Sequence, residues 1–320
     1  MKFVELFKKY GVVFILVILF VIFTALNPAF LTVTNIINIS KQVAIMAILS
    51  VGMTFVLLTG GIELSMGSVV SLVVVTISMF VTILGWPISL AILASIAIAT
   101  AIGLLNGIII AKVKVPPLIM TLGMQIFLYG FTYTLCGGTP VYGIPNSLKW
   151  VGQTYIFGFL PVSALIMIII ILIGYFVLSK TYLGRYFYAI GSNEETANLS
   201  GINSDRIRIM AYTCCGFLVG IAGMVMLGRI GSGQPSAGEG YEMDVLTGCV
   251  LGGVSLNGGK GNLAKAFAGI LVIGILSNGM SLAGMDAFMQ KMVKGLVLML
   301  AVILDSLQYV KIRRKVKVIS

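Results

Sequence analysis

A chain of 320 residues that is 59% hydrophobic and only 10% charged stands far from soluble domains, in which about a quarter of residues are charged. The apolar residues fall in charge-free blocks at 10–40, 42–62 and 64–111, whereas about 20 residues suffice for one helical span. The net charge of +11 is expected to report membrane orientation and not nucleic-acid binding. The absence of short alternating strands excludes a β-barrel, leaving an all-α polytopic membrane protein.

The first span is expected over residues 11–26 and ends at Asn27-Pro28. No small-x-small cleavage pattern follows it, so it reads as an uncleaved helix. A second span is expected over 43–59, followed by the glycine-framed polar break Gly60-Gly-Ile-Glu-Leu-Ser-Met-Gly67. Gly85-Trp86-Pro87 divides the next apolar block into spans over 66–84 and 88–110. Pro116-Pro117 opens a fifth span to about residue 135, and a Gly- and Pro-rich wet loop runs from Gly137 to Leu160. A sixth span is expected over 162–178 and a seventh over 209–227.

Between these two lies the longest polar interruption, Arg185 to Arg208. Ser192 followed by Glu195 reads as a capping box. Gly201 supplies a left-handed stop, giving a helix of roughly two turns over 193–200. Ser204-Asp205 restarts a helix. So short a helix is not stable alone in water, and it must rest on the membrane surface or on a partner protein.

Spans near 265–283 and 289–306 are plain. If both basic ends face the cytosol the number of spans is even, so Met243 to Leu256 is expected to cross as a bent or broken helix, making ten. This arrangement leaves Lys41, Lys149, Arg229, Lys291 and Lys294 outside and the other sixteen of the 21 Lys and Arg inside. That bias is the positive-inside pattern, with both termini and the polar loop cytosolic.

The sequence also restricts the chemistry. It has no histidine, which removes histidine-based metal, haem and proton-relay chemistry. The four cysteines have no ligand spacing and read as packing residues. Gly258-Gly-Lys-Gly261 fails as a P-loop because Val254 and Gly261 stand where Gly and Ser or Thr are required; Gly231-Ser-Gly233 fails as a dinucleotide fingerprint at Ser236. Any energy must come from another subunit or an ion gradient. Of ten acidic residues only Glu63 is expected at membrane depth, which is thin support for ion coupling.

Ala189-Ile-Gly-Ser-Asn-Glu-Glu-Thr-Ala-Asn-Leu-Ser-Gly-Ile202 resembles the cytoplasmic loop of permease subunits in ribose-type ABC importers. The 60–67 break, Val115-Pro-Pro-Leu-Ile-Met-Thr-Leu-Gly123, Gly240-Tyr-Glu-Met-Asp244 and Leu251-Gly-Gly-Val-Ser-Leu-Asn-Gly-Gly-Lys-Gly261 resemble the same family. Glu63 stands where that family usually has Asp, and Asn198 where a small or basic residue is commoner.

The resemblance implies one transmembrane domain over 1–320 in the bacterial cytoplasmic membrane, surrounded by lipid, with a coupling loop at 180–208. It implies a cytosolic ATPase that binds ATP and Mg, an extracytoplasmic sugar-binding protein, and a second permease copy or paralogue; this chain itself would hold no cofactor and be no enzyme. It implies that Gly191, Asn193, Glu194, Ala197, Ser200 and Gly201 meet the ATPase. Glu63 is expected to satisfy backbone groups at its break or to meet substrate. Asn106, Thr121, Gln125 and Asn278 are expected to pack between helices or to line a path for a sugar. Glu239, Glu242 and Asp244 read as solvated charges, or as docking points for the binding protein. Other readings are a permease for nucleosides or a signalling furanose, an ion-coupled carrier, and a membrane-embedded enzyme using Glu63.

Overall fold

The computed structural model describes residues 2–319, with side chains described for residues 11–303, 305 and 306. The basic ends on which the parity argument rests (Lys2, Lys8 and Lys9; Lys311 to Lys317) lie outside those side chains.

Helix α1 (Lys2–Leu26) ends at Asn27, whose side chain caps a short 3-10 turn, Pro28–Leu31. The same amide donates to Leu282 O at 2.9 Å. Helix α2 (Val33–Leu58) begins at a Thr32 cap, well before the expected residue 43. Lys41 does not stop it: the ammonium reaches sideways to Tyr155 Oη at 2.9 Å while the stem stays on the helix. From Val43 to Leu58 every residue of α2 is buried. A helix apolar all round is a core helix, and the other spans assemble around it.

Gly60 takes a φ of +78°, and the chain runs non-helically to Ser65 before α3 (Met66–Thr82). Trp86 stacks on Phe80 at 4.6 Å in the hairpin to α4 (Ile88–Ile108). A π turn, Ile109–Val113, ends at Lys114 in the left-handed region, and α5 (Pro117–Leu135) follows. The wet loop folds into α6 (Asn146–Gln153) and a two-residue ladder, Tyr155–Ile156 against Leu160–Pro161.

Helix α7 (Val162–Lys180) leads to α8 (Tyr182–Ser192), α9 (Glu194–Leu199) and α10 (Ser204–Ile230). Small residues bring α10 against α4: a Cβ on Gly216 would stand 2.5 Å from Ala99 O, and one on Gly220 3.0 Å from Ile96 Cα. Gly152 of α6 abuts the backbone of Gly228 and Arg229 at the far end of α10.

Helix α11 (Tyr241–Leu251) has 11 residues, about 16 Å of helix where the apolar membrane core is about 30 Å thick. It is a half-length element, and the loop after it returns at once, with Gly252 packed against Lys265 and Ala266 at the start of the next helix. Helices α12 (Leu263–Leu282) and α13 (Ala287–Ile319) complete the chain. Asp286 caps α13 by accepting from the Phe288 and Met289 amides, each at 2.8 Å.

The protein is all-α and multi-pass apart from the small ladder. Among the described residues, α2, α4 with its π turn, α5, α7, α10 and α12 are long and apolar enough to cross a membrane unaided. The expected count of ten draws in addition on the shorter apolar parts of α1 and α3, half-length α11 and α13.

Candidate functional site: the α8–α9 loop and the helix breaks

Helix α9 is capped one residue later than the capping box predicts. Ser192 is the last residue of α8, and Asn193, extended at φ −161°, caps α9 by accepting from Thr196 N at 2.9 Å. An asparagine at the point where the chain leaves helical geometry holds the acceptor that the serine before it cannot bring round. Ser192 Oγ instead points to Gly259 O at 3.5 Å, and Glu195 is exposed. Gly201, at φ +83°, ends the helix.

The faces of α9 are unequal. Ala197 is buried within the chain. Glu194 accepts from Arg208 Nη2 at 2.7 Å and from Ser204 Oγ at 3.0 Å. Asn198 Oδ1 accepts from Ser204 N at 3.2 Å. Lys114 and Lys112 pair with Asp205 at 2.8 and 3.3 Å, which ties the end of α4 to the same corner. The Arg208 guanidinium holds the Glu194 carboxyl below the usual carboxylate range, against a smaller opposing effect of burial. Asn193, Ser200 and Gly201 are exposed.

Leu199, which the sequence reading passes over, is 85% exposed. It lies about 200° round the helix from Ala197, so the phase of the small residue was the available signal. Gly191 is a packing position: a Cβ there would strike Leu58 O and Gly259 N. Gly259 N donates to Leu58 O at 3.0 Å and Tyr188 Oη to Gly261 O at 3.0 Å. The glycine-rich 258–261 segment thus joins α8 to the end of α2.

The residues expected along a path lie in three places. Glu63, Asn106 and Thr121 meet at the first break. Glu63 Oε1 accepts from Ser65 N at 2.8 Å and Ser65 Oγ at 2.5 Å, and Oε2 accepts from Asn106 Nδ2 at 3.0 Å. Thr121 Oγ1 and Tyr212 Oη reach Ile62 O at 3.3 and 3.1 Å. Tyr212 is fully buried and gave no signal as one aromatic residue in an apolar span. A cavity of about 10 Å³ beside Glu63, Met66, Gly103 and Cys215 has room for about one water.

Gln125 lies elsewhere, donating to Glu242 Oε1 at 2.8 Å. Asn278 forms a reciprocal amide pair with Asn35, both bonds 2.9 Å, where α12 meets α2.

The three acidic residues expected to be solvated behave differently from one another. Glu239 is exposed and pairs with Lys291 at 3.2 Å; Asp244 is largely covered and pairs with Lys294 at 2.6 Å. Glu242 is 5% exposed, which corrects the solvated reading: the segment 231–240 turns back into the bundle, with Gly238 N donating to Ser71 Oγ at 2.9 Å. That return carries Glu242 against Gly67 of α3. Among the described residues no group of three His, Cys, Asp or Glu could hold a metal.

Residues 35–302 match the family described as branched-chain amino acid transport system / permease component. The chain belongs to this permease family. The permease is 40% identical over 297 residues to the ribose import permease protein RbsC of Escherichia coli K12, covering 91% of each chain. It is 40% identical to the Bacillus subtilis protein of the same name, over 93% of this chain and 92% of the relative. Against the Haemophilus influenzae galactose/methyl galactoside import permease protein MglC it is 34% identical, with 96% of each covered. No solved structure matches the permease.

Proposed function

We propose that this permease is the membrane subunit of an ATP-driven ABC importer for a small sugar of the ribose, galactose or xylose kind, working by alternating access. The observation that carries this reading is full-length similarity at 40% identity to ribose import permeases, with galactose and xylose permeases close behind. The buried acids also favour a neutral cargo. Glu63 and Glu242 are held by Ser65, Asn106 and Gln125, all uncharged, whereas a zwitterionic amino acid would call for a paired cation at the same depth.

In this reading residues 1–320 act as one transmembrane unit of the bacterial cytoplasmic membrane, with both termini cytosolic. The 180–208 loop meets a cytosolic ATPase, which binds the ATP and Mg; an extracytoplasmic sugar-binding protein delivers the cargo, and a second copy or a paralogue completes the pair. Helix α9 suits the role of a lever because Glu194, Ala197 and Asn198 fix it to α10 while Leu199 faces outward as an apolar anchor. ATP binding in the partner biases the two access states.

The test is uptake by proteoliposomes holding this chain with its ATPase and binding protein. Ribose, galactose or xylose entry that needs ATP and survives an uncoupler supports the proposal. Entry that survives ATP depletion and collapses with an uncoupler overturns it, as does labelling of an introduced Glu195→Cys by an impermeant reagent on intact cells.

A further inference from the structure

The start of α11 collects polar groups that lack partners. Glu242 Oε1 accepts from Gln125, but Oε2 is buried with no hydrogen-bond donor. The backbone amides of Gly240 and Glu242 face the same carboxyl group. One turn along α5 from Gln125, the Tyr129 hydroxyl is also buried and unpaired, turned towards the Gln125 amide. Such orphans are rare in folded proteins and costly in an apolar interior.

Two shortened helices begin at this point. Met66 opens α3 and Tyr241 opens α11, and they touch so closely that a Cβ on Gly67 would strike Glu242 Oε2 and one on Gly238 would strike Gly67 O. Both helix starts therefore aim their positive ends at one spot among the spans.

The two orphans need opposite things. Glu242 Oε2 lacks a donor, and the Tyr129 O–H lacks an acceptor. A metal cation or an ammonium group would serve the first and leave the second unmet. A proton on Oε2 would need the Tyr129 oxygen as its acceptor, and the two groups make no such contact. A hydroxyl group donates and accepts at once, and neighbouring hydroxyls on a sugar ring span two such groups.

We propose that Glu242, Gln125 and Tyr129 form a transit site for the hydroxyls of a neutral sugar. This rests on the importer reading. Sugar hydroxyls donate to Glu242 Oε2 and accept from Tyr129, while Gln125 holds the carboxylate in place. Water has the same dual character, and the experiment separates the two.

The Tyr129 hydroxyl faces Gln125 without completing a hydrogen bond, so if the residue were purely structural, Tyr129→Phe would leave stability nearly unchanged and uptake intact. The complete importer in ATP-loaded proteoliposomes is assayed with labelled ribose, galactose and xylose, alongside ATP hydrolysis and thermal unfolding. If the wild type imports none of the three and its ATPase ignores loaded binding protein, the importer reading falls and this proposal with it. With an active wild type, Tyr129→Phe is expected to lower uptake of the best sugar about tenfold, with stimulated ATP hydrolysis within about twofold and stability unchanged. Glu242→Gln, which keeps the shape and loses the charge, is expected to lower uptake at least as much. Uptake within about twofold of wild type in Tyr129→Phe overturns the site, and so does a loss of uptake, ATP hydrolysis and stability together.

Discussion

Glu63 and Glu242 are both buried carboxylates beside the first turn of a short helix, yet their surroundings are finished differently. Glu63 has donors on both oxygens, from Ser65 and Asn106. Glu242 has one from Gln125 and an oxygen left over. Asn106 keeps one buried acceptor free on its own amide, Oδ1, but the Glu63 carboxylate itself is fully bonded. A satisfied buried charge rigidifies what it joins, so the first break is a fixed corner of the fold. The second break keeps bonding capacity in reserve.

Removing a partner from the Glu63 carboxylate gives the largest effect. Asn106→Leu leaves Glu63 Oε2 without its donor and should cost about 3 kcal/mol, read as lower thermal stability in detergent. If the loss is under about 1 kcal/mol, Glu63 is not held as described and the contrast between the breaks disappears. Next comes Gly238→Ala, whose methyl would strike Gly67 O. A backbone contact cannot swing aside, so about 2 kcal/mol of overpacking is expected; an unchanged melting temperature would mean that the second break yields freely.

Smaller effects belong to the α8–α9 loop. A double-mutant cycle of Glu194→Gln and Arg208→Gln should give a coupling below about 1 kcal/mol, because the pair is partly open to solvent. Its pH dependence has a definite sign. Arg208 lowers the Glu194 pKa, so this stabilisation is complete above the ordinary carboxylate range and fades as pH falls below about 4. The protection of α9 amides, meaning their exchange relative to the intrinsic rate at each pH, should be flat from neutral pH to about 5 and fall below about 4. Leu199→Ser should change stability by less than about 0.5 kcal/mol and still reduce stimulation of ATP hydrolysis by the loaded binding protein; unchanged stimulation would remove Leu199 from the partner surface.

The spans were legible because charge-free blocks punctuated by Gly, Pro and Lys are a direct record of membrane crossing. The interruptions at 60–67 and 85–87 stand where glycine and proline put them. Lys41 misled the start of α2 because one lysine with a long stem can ride on a helix. Asn193 displaced Ser192 as the cap because two adjacent side chains both had the chemistry, and only the backbone angle chose between them. Glu242 was hidden by its neighbours: Glu239 and Asp244 do meet lysines of α13, and only the return of 231–240 to Ser71 turns Glu242 inward. Tyr212 and Tyr129 could not have been found, since a phenol within an apolar run looks the same whether it packs or bonds.

Helix α10 is gripped at both rims, by the Glu194–Arg208 pair where it begins and by the abutment of Gly152 on Gly228 where it ends. Between those grips it lies along α4 on small residues and touches the first break through Tyr212. A helix fixed at both ends and packed along its length has little freedom to bend, so its 27 residues join the α9 corner to α6 as one stiff strut.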